Sequence, residues 1–336
     1  MSDFFEGKSV LITGGTGSFG KKCVEILIRD HSPKRVIVFS RDELKQVEMA
    51  AGIDDPRVRF FIGNVRDKER LYRAFDGVDI LVHAAALKQV PVAEHNPLEA
   101  TRTHIQGGAN VIDAALDCNV EKIIALSTDK AVSPVNLYGA TKLCAEKLFT
   151  AANSYRGRRR ARFSVVRYGN VLASRGSVIP RFLNLRKTGV LPITDKRMTR
   201  FFISLETAVR FVLTCFEEMN GGEVYIPKAP SMKIVDLAAA LCPECRQEEV
   251  GCRPGEKLHE MLIMKDEARQ TVEQGDRYVI LPRFPWWEER ECRTLGGERL
   301  PEGFEYTSDT NPNWISVEAL RRSLLNGSLG IEAPVS

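Results

Sequence analysis

The chain has 336 residues, 43% hydrophobic and 27% charged, with 48 Lys and Arg against 44 Asp and Glu and a net charge of +4. That length suffices for one large domain or for a cofactor domain with a smaller companion, and the composition excludes disordered, collagen-like and disulfide-scaffold classes. Met1 to Lys8 lacks the charged start and apolar core of a leader, and no later apolar run is long enough to cross a bilayer, so a cytoplasmic protein without a membrane partner is expected.

Short apolar runs at Val10 to Thr13, Val36 to Phe39, Val58 to Ile62, Ile80 to His83, Ile123 to Ser127 and Phe163 to Tyr168 read as strands. Helical spacing falls between them, at Gly20 to Arg29, Glu43 to Ala51, Lys68 to Phe75, His104 to Asn119 and Tyr138 to Asn153. Alternation of this kind predicts an α/β fold, a Rossmann-type doubly wound parallel sheet. The basic run Arg156, Arg158, Arg159, Arg160 and Arg162 reads as a solvated loop, and no nucleic-acid partner is expected. Beyond residue 170 the rhythm loosens, with helices expected at Leu205 to Glu218 and Ile234 to Leu241. Residues 1–170 therefore read as the cofactor domain, its sheet completed by later segments, and 171–336 as a mainly substrate-binding, interleaved domain. The eight cysteines have no scaffold spacing and fit a reducing compartment. Cys242 and Cys245, even with Cys252 and His259 nearby, fall short of a structural zinc pattern; they read as buried or incidental thiols, with no metal.

The first strand runs into the first helix through Thr13-Gly14-Gly15-Thr16-Gly17-Ser18-Phe19-Gly20. Glycines at 14, 17 and 20 let the backbone turn tightly, approach a pyrophosphate and pack helix on strand, while the helix N-terminus faces the phosphate. At the end of the second strand, Ser40 and Arg41, with Lys45 one turn on, suit a 2′-phosphate and hence NADP; Asp42 keeps NAD open. Asn64 and Val65, followed by Asp67, are expected near the adenine, and His83 to Ala86, Ala84 included, along the cofactor's underside. Leu126, Ser127 and Val171 complete the expected cofactor contacts.

Tyr138 and Lys142 stand four residues apart on one helix face, so the ammonium can lower the phenol's pKa and reach the nicotinamide ribose. Such a tyrosinate takes the proton of a secondary alcohol as hydride leaves the same carbon. Asp129 and Lys130 then offer an acid and a base at a strand's C-terminal end, which elimination of water needs and simple alcohol oxidation does not. For that work the Lys130 pKa must fall from about 10.4 towards 7 or 8, through burial and nearby Lys142, and that of Asp129 must rise. The bland alternative is a surface salt bridge in a loop.

Taken together, Gly14 to Gly20, Phe39 to Gln46, His83 to Pro91, Ser127 to Ala131, Asn136 to Lys142, Arg167 to Gly176, Thr199 to Ser204 and Arg253 to Glu260 resemble the extended short-chain dehydrogenases. Within them they resemble the inverting UDP-N-acetylglucosamine 4,6-dehydratases. The resemblance implies a tightly held, recycled NADP, UDP-N-acetylglucosamine as substrate, and a 4-keto-6-deoxy product inverted at C5, at the first step of pseudaminic acid-type synthesis. It implies Lys130 as the active-site lysine, Asp129 as the acid and Tyr138 as the C4 base. Lys88, Lys142, Asn170, Val178, Arg181, Thr194, Arg253 and Glu256 become expected substrate contacts, Lys88 touching the cofactor too, in a homo-oligomer. Tyr138 in a soluble chain favours inversion over retention. Arg290 to Pro301 matches no motif, and a contact near Ser308 to Asn311 is a guess. A nucleotide-sugar 4-epimerase and a non-catalytic NADP-binding scaffold remain the alternatives.

Overall fold

The computed structural model describes residues 3–172, 174, 176–282 and 296–325. Its strands are β1 Ser9–Thr13, β2 Arg35–Ser40, β3 Val58–Ile62, β4 Ile80–His83, β5 Lys122–Thr128, β6 Arg162–Tyr168, β7 Asn170–Val171, β8 Val190–Ile193, β9 Thr199–Ile203, β10 Val224–Pro227, β11 Ser231–Lys233, β12 Arg246–Glu249, β13 Met261–Ile263, β14 Thr271–Gln274, β15 Arg277–Ile280, β16 Glu298–Arg299 and β17 Tyr306–Thr307. The helices are α1 Ser18–Asp30, α2 Glu43–Ala50, α3 Lys68–Phe75, α4 Val90–His95, α5 Pro97–Thr101, α6 Gly107–Asp117, α7 Leu137–Ala151, α8 Val178–Leu185, α9 Leu205–Glu218, α10 Ile234–Leu241, α11 Lys265–Ala268 and α12 Val317–Leu325.

The main sheet runs β16-β14-β15-β10-β6-β5-β4-β1-β2-β3. Every pair from β10 to β3 is parallel, whereas β15, β14 and β16 add antiparallel pairs at one end. Strands of continuous apolar sequence arise because both faces are covered. Leu11, Ile37, Leu81 and Ile123 enter one core. Their sequence neighbours Val10, Val36, Ile80 and Ile124 enter the other, as the two-residue strand period requires. This is a Rossmann-type doubly wound α/β fold. A third core, with Leu172, Ile179, Phe182, Leu191, Phe202, Leu237 and Leu320, draws only on residues after 170. The later chain nevertheless supplies β10, β14, β15 and β16 to the main sheet.

The structure departs from the sequence reading in three places. The helix expected from His104 to Asn119 begins as a π-helical turn, Arg102–Gln106, before α6. Helices α4, α5 and α8 were hidden by prolines, yet Pro91 and Pro97 sit in first turns, where the missing N–H has no intrahelical partner to lose. Cys242 and Cys245 are joined in a disulfide after α10 rather than standing as thiols, because the turn that follows the helix brings Cα atoms three positions apart to 5.3 Å. The arginine run leaves a polar turn before β6, with Arg159 paired to Asp117 at the surface.

Arg167 on β6 is 1% exposed and binds Glu146 of α7, Glu267 of α11 and the Leu262 carbonyl. Glu146 also accepts the Ser127 hydroxyl at 2.8 Å, tying α7 to β5. Breaking one partner of a buried ion cluster leaves charge without compensation. Arg167→Met is therefore expected to lower stability by roughly 3–5 kcal/mol, seen as a lower denaturation midpoint in urea or on heating.

Candidate active site

The first β-α turn is shaped by glycine. Gly14 has φ +68°, and a Cβ there would meet the backbone of Ala85 at 2.9 Å; at Gly20 it would lie 2.4 Å from Gly15. Gly17 caps α1 without a side chain, so the positive end of that helix faces a cleft of about 610 Å³. The cleft is lined by Gly14, Thr16, Gly17, Ser18, Phe19 and Gly20, by Ser40, Arg41 and Lys45, by Asn64, Val65 and Ala84, and by Lys88, Leu126, Ser127, Tyr138, Lys142 and Val171. Asn170 and Val178 line it too, whereas Arg181, Thr194, Arg253 and Glu256 do not. Arg181 and Arg253 are exposed, and Arg253 pairs with Glu256 at 3.7 Å. Thr194 follows β8 in the region of the third core.

A glycine cradle that any side chain would fill, a helix N-terminus, and Arg41, Lys45, Lys88, Lys130 and Lys142 around one cleft fit a dinucleotide phosphate ligand. At the β2 end, the Ser40 hydroxyl bonds that of Thr16 at 2.8 Å. Asp42 caps α2 by accepting the Lys45 N–H, and its carboxylate also pairs with the Lys45 ammonium. That pairing occupies the acidic group and moderates Lys45, leaving Arg41 as the cation on the cleft wall without that tie. Asp67, expected near the adenine, is instead the N-cap of α3. His83 lies beneath the lining and bonds Thr13 at 2.8 Å; burial drops its pKa to about 3, so it stays neutral.

Helix α7 carries Tyr138 and Lys142 and is seated on the turn that follows β5. Gly139 makes this possible, since a Cβ there would be 2.0 Å from the Lys130 carbonyl oxygen. Asn136 caps α7 by accepting the Gly139 N–H at 2.7 Å. His104, in the π turn, accepts the Leu87 N–H at Nε2, which leaves Nδ1 as the protonated nitrogen facing the Thr141 hydroxyl at 2.8 Å. The loop bearing Lys88 is thereby fixed to the same helix. Sequence reasoning missed His104 because a lone histidine in a helical pattern carries no motif.

The electrostatics correct two expectations. Lys142 donates to the Leu126 carbonyl at 2.6 Å, and burial brings its pKa down to about 8 against the opposing pull of Glu146. The Tyr138 phenol is held above its ordinary value by burial, and the cation that counteracts this is Lys130, not Lys142. Lys130 itself moves opposite to expectation: burial pulls it down, but the carboxylates of Asp129 at 2.9 Å and Glu260 at 3.2 Å outweigh burial and leave it above its ordinary value. It is an ammonium, and can act as a base only after handing a proton to a neighbour. Asp129 is 0% exposed, which disposes of the surface salt bridge, and burial raises its pKa as an acid requires. Glu260, 2% exposed, carries no signal of its own at the end of the Arg253 to Glu260 segment; nothing in sequence brings residue 260 to residue 130.

Ser308 and Asn311 are structural. The Ser308 N–H donates to the Glu260 carbonyl at 2.8 Å and the Ser308 hydroxyl accepts the Glu260 N–H at 2.9 Å, while Asn311 donates to the Ala229 carbonyl and the Ser231 hydroxyl. Among the described residues no group of His, Cys, Asp and Glu forms a metal site.

Lysine side-chain NMR titration checks the charge assignment. Lys142 is expected to lose its charge as pH rises through about 8, while Lys130 stays charged beyond the ordinary lysines. The two signals are assigned by their loss in Lys142→Met and Lys130→Met; a Lys130 resonance titrating near neutrality would contradict the two-carboxylate environment.

A family model described as polysaccharide biosynthesis protein matches residues 10–282. UDP-N-acetylglucosamine 4,6-dehydratase (inverting) of Campylobacter jejuni is 53% identical over 323 residues, covering 94% of this chain and 97% of that protein. UDP-glucose 4-epimerase of Rickettsia bellii is 42% identical over 330 residues, with 96% of each chain covered. The X-ray structure of Pen from Bacillus thuringiensis is 38% identical, with a TM-score of 0.88 over 97% of this chain and 99% of that one. With its glycine turn, its Tyr138 and Lys142 pair and these matches, the chain belongs to the polysaccharide biosynthesis protein family of extended short-chain dehydrogenases.

Proposed function

We propose that this chain is an inverting UDP-N-acetylglucosamine 4,6-dehydratase that uses NADP. The observation that carries the reading is the buried Asp129 carboxyl beside the Lys130 ammonium, at the end of β5 and next to Tyr138. An enzyme that only oxidises or epimerises C4 has no use for that pair. The similarity to the Campylobacter jejuni dehydratase supports it.

In this reading Tyr138, neutral in the substrate-free site, first releases its phenolic proton to solvent and then takes the proton of the substrate's C4 hydroxyl. A nicotinamide held in the cleft would supply the hydride acceptor for C4 and the hydride donor for C6, with C5 taking up a proton at that second stage. With C4 a ketone, the C5 proton becomes acidic; Lys130, once its own proton has passed to a neighbouring carboxylate, takes it. Asp129 gives its proton to the C6 oxygen, which leaves as water. Lys142 remains on the Leu126 carbonyl, where it can meet the cofactor's ribose. Lys88, Asn170 and Val178 are substrate contacts on the cleft wall. Arg181, Thr194, Arg253 and Glu256 belong to the same reading only if their segments close on a bound sugar. The division into a cofactor domain of residues 1–170 and a mainly substrate-binding remainder, a homo-oligomeric state, a cytoplasmic location and pseudaminic acid-type synthesis are parts of this proposal. No helix among the described residues is long and apolar enough to cross a membrane.

The second reading, a UDP-sugar 4-epimerase, is favoured by the name of the Rickettsia bellii relative. Proton NMR in deuterated water separates the two. With UDP-N-acetylglucosamine, a new C6 methyl signal with deuterium at C5, absent in Lys130→Ala, is expected; couplings around C5 report inversion. Change confined to C4 would establish the epimerase instead.

Cofactor choice is tested by calorimetry. Arg41→Ala is expected to weaken NADP binding about tenfold or more, a loss of about 1.4 kcal/mol or more, with NAD little affected. Equal losses for both cofactors would argue for NAD with Asp42 at the ribose.

A further inference from the structure

The group beside Lys130 that the proposed reaction does not yet use is Glu260. The Lys130 ammonium lies between Asp129 Oδ1 at 2.9 Å and Glu260 Oε1 at 3.2 Å, with Asn170 Oδ1 at 3.4 Å. Two buried carboxylates that share one ammonium cannot both stay ionised at little cost, so one of them keeps a proton.

Their surroundings decide which. Glu260 has further cations from two segments, Arg200 of β9 at 3.8 Å and Lys257 at 3.9 Å. Asp129 has, among the described residues, the Lys130 ion pair alone and a hydrogen bond from the Thr128 hydroxyl at 2.9 Å; each acid keeps one buried oxygen without a hydrogen-bond partner, so the number of cations is what separates them. Above the pair, α7 contributes Tyr138, a phenol that burial keeps neutral. Glu260 is held in this position from outside the cleft by the bonds its backbone makes with the N–H and the hydroxyl of Ser308. We infer that Glu260 is the ionised partner of Lys130, a positioning residue whose charge lets Asp129 keep the proton destined for the leaving hydroxyl.

The opposite directions in which the two acids shift agree with this, Asp129 upward through burial and Glu260 downward through Lys130, Arg200 and Lys257 in spite of burial. Glu260 also becomes the acceptor that Lys130 needs, since Asp129 is already protonated. The ammonium passes one proton to Glu260, and the free amine takes the C5 proton while the C5–H electrons form the C5–C6 double bond. The C6–O bond breaks as that double bond forms, its electron pair leaving on an oxygen that takes the Asp129 proton and departs as water. The three side chains together begin and end this sequence neutral. The use of the proton in elimination rests on the dehydratase reading; the protonation pattern itself needs no substrate.

Infrared difference spectroscopy of the substrate-free protein at neutral pH tests it. Subtracting Asp129→Asn from wild type is expected to reveal a protonated carboxyl stretch, which removes any contribution from buried Glu223. The same band is expected to vanish in Glu260→Gln and to return in Glu260→Asp. Absence of the band in wild type, or its persistence in Glu260→Gln, would overturn the inference. If Glu260→Gln does not fold, carbon-13 carboxyl titration of wild type decides: Asp129 must titrate above Glu260, and the reverse order rejects the assignment. A protein that shows this pattern but leaves UDP-N-acetylglucosamine unchanged would fail the dehydratase reading alone.

Discussion

Everything at this site hangs on the close seating of α7 against the turn after β5. The Gly139 backbone passes so near the Lys130 carbonyl that no side chain fits between them. That contact sets the distance from the helix residues Tyr138 and Lys142 to the turn residues Asp129 and Lys130. The seating is enforced from three sides: by Arg167 and Glu146 beneath, by His104 and Thr141 beside, and by the Asn136 cap at the helix start. The first two are buried polar interactions between separate segments of the chain, and the cap is local, three residues apart. Such networks contribute little net stability when complete, but they specify one arrangement because the incomplete alternatives are costly.

Within that frame, charge rather than shape differentiates the two lysines. Both are enclosed, yet Lys142 has a carbonyl for a partner and falls to about 8, whereas Lys130 has two carboxylates and stays charged. Burial acts on both in the same direction, so the opposing outcomes come from their neighbours. The cleft thus separates into a cationic end suited to phosphates and a neutral proton-exchanging cluster at the far end of β5.

Much of the cofactor side was legible in the sequence because its signals are local. The glycine turn, the β2 end and the Tyr138 to Lys142 spacing each lie within one strand-turn-helix unit, where backbone geometry follows directly from residue type. The same locality explains the failures. Asp67 is expected near the adenine and Asp42 leaves NAD open, but an acidic residue just before a helix is equally suited to cap it, and both do, Asp42 while still lining the cleft. The sequence spacing of Tyr138 and Lys142 made them look like a coupled pair, although Lys142 turns to the Leu126 carbonyl and Lys130 becomes the phenol's cation.

Strand and helix order, the parallel sheet and the glycine turn are thus readable from sequence, as are the residue types gathered around the cleft. These follow from apolar periodicity and from short motifs, which depend on neighbours a few residues away. Only the tertiary structure decided the charge on those residues. Glu260 reaches Lys130 across 130 positions, Arg167 joins Glu146 to Glu267, and Ser308 holds Glu260 from another segment. Electrostatic energy depends on separation in space and on burial, and neither is encoded in any local stretch of the chain.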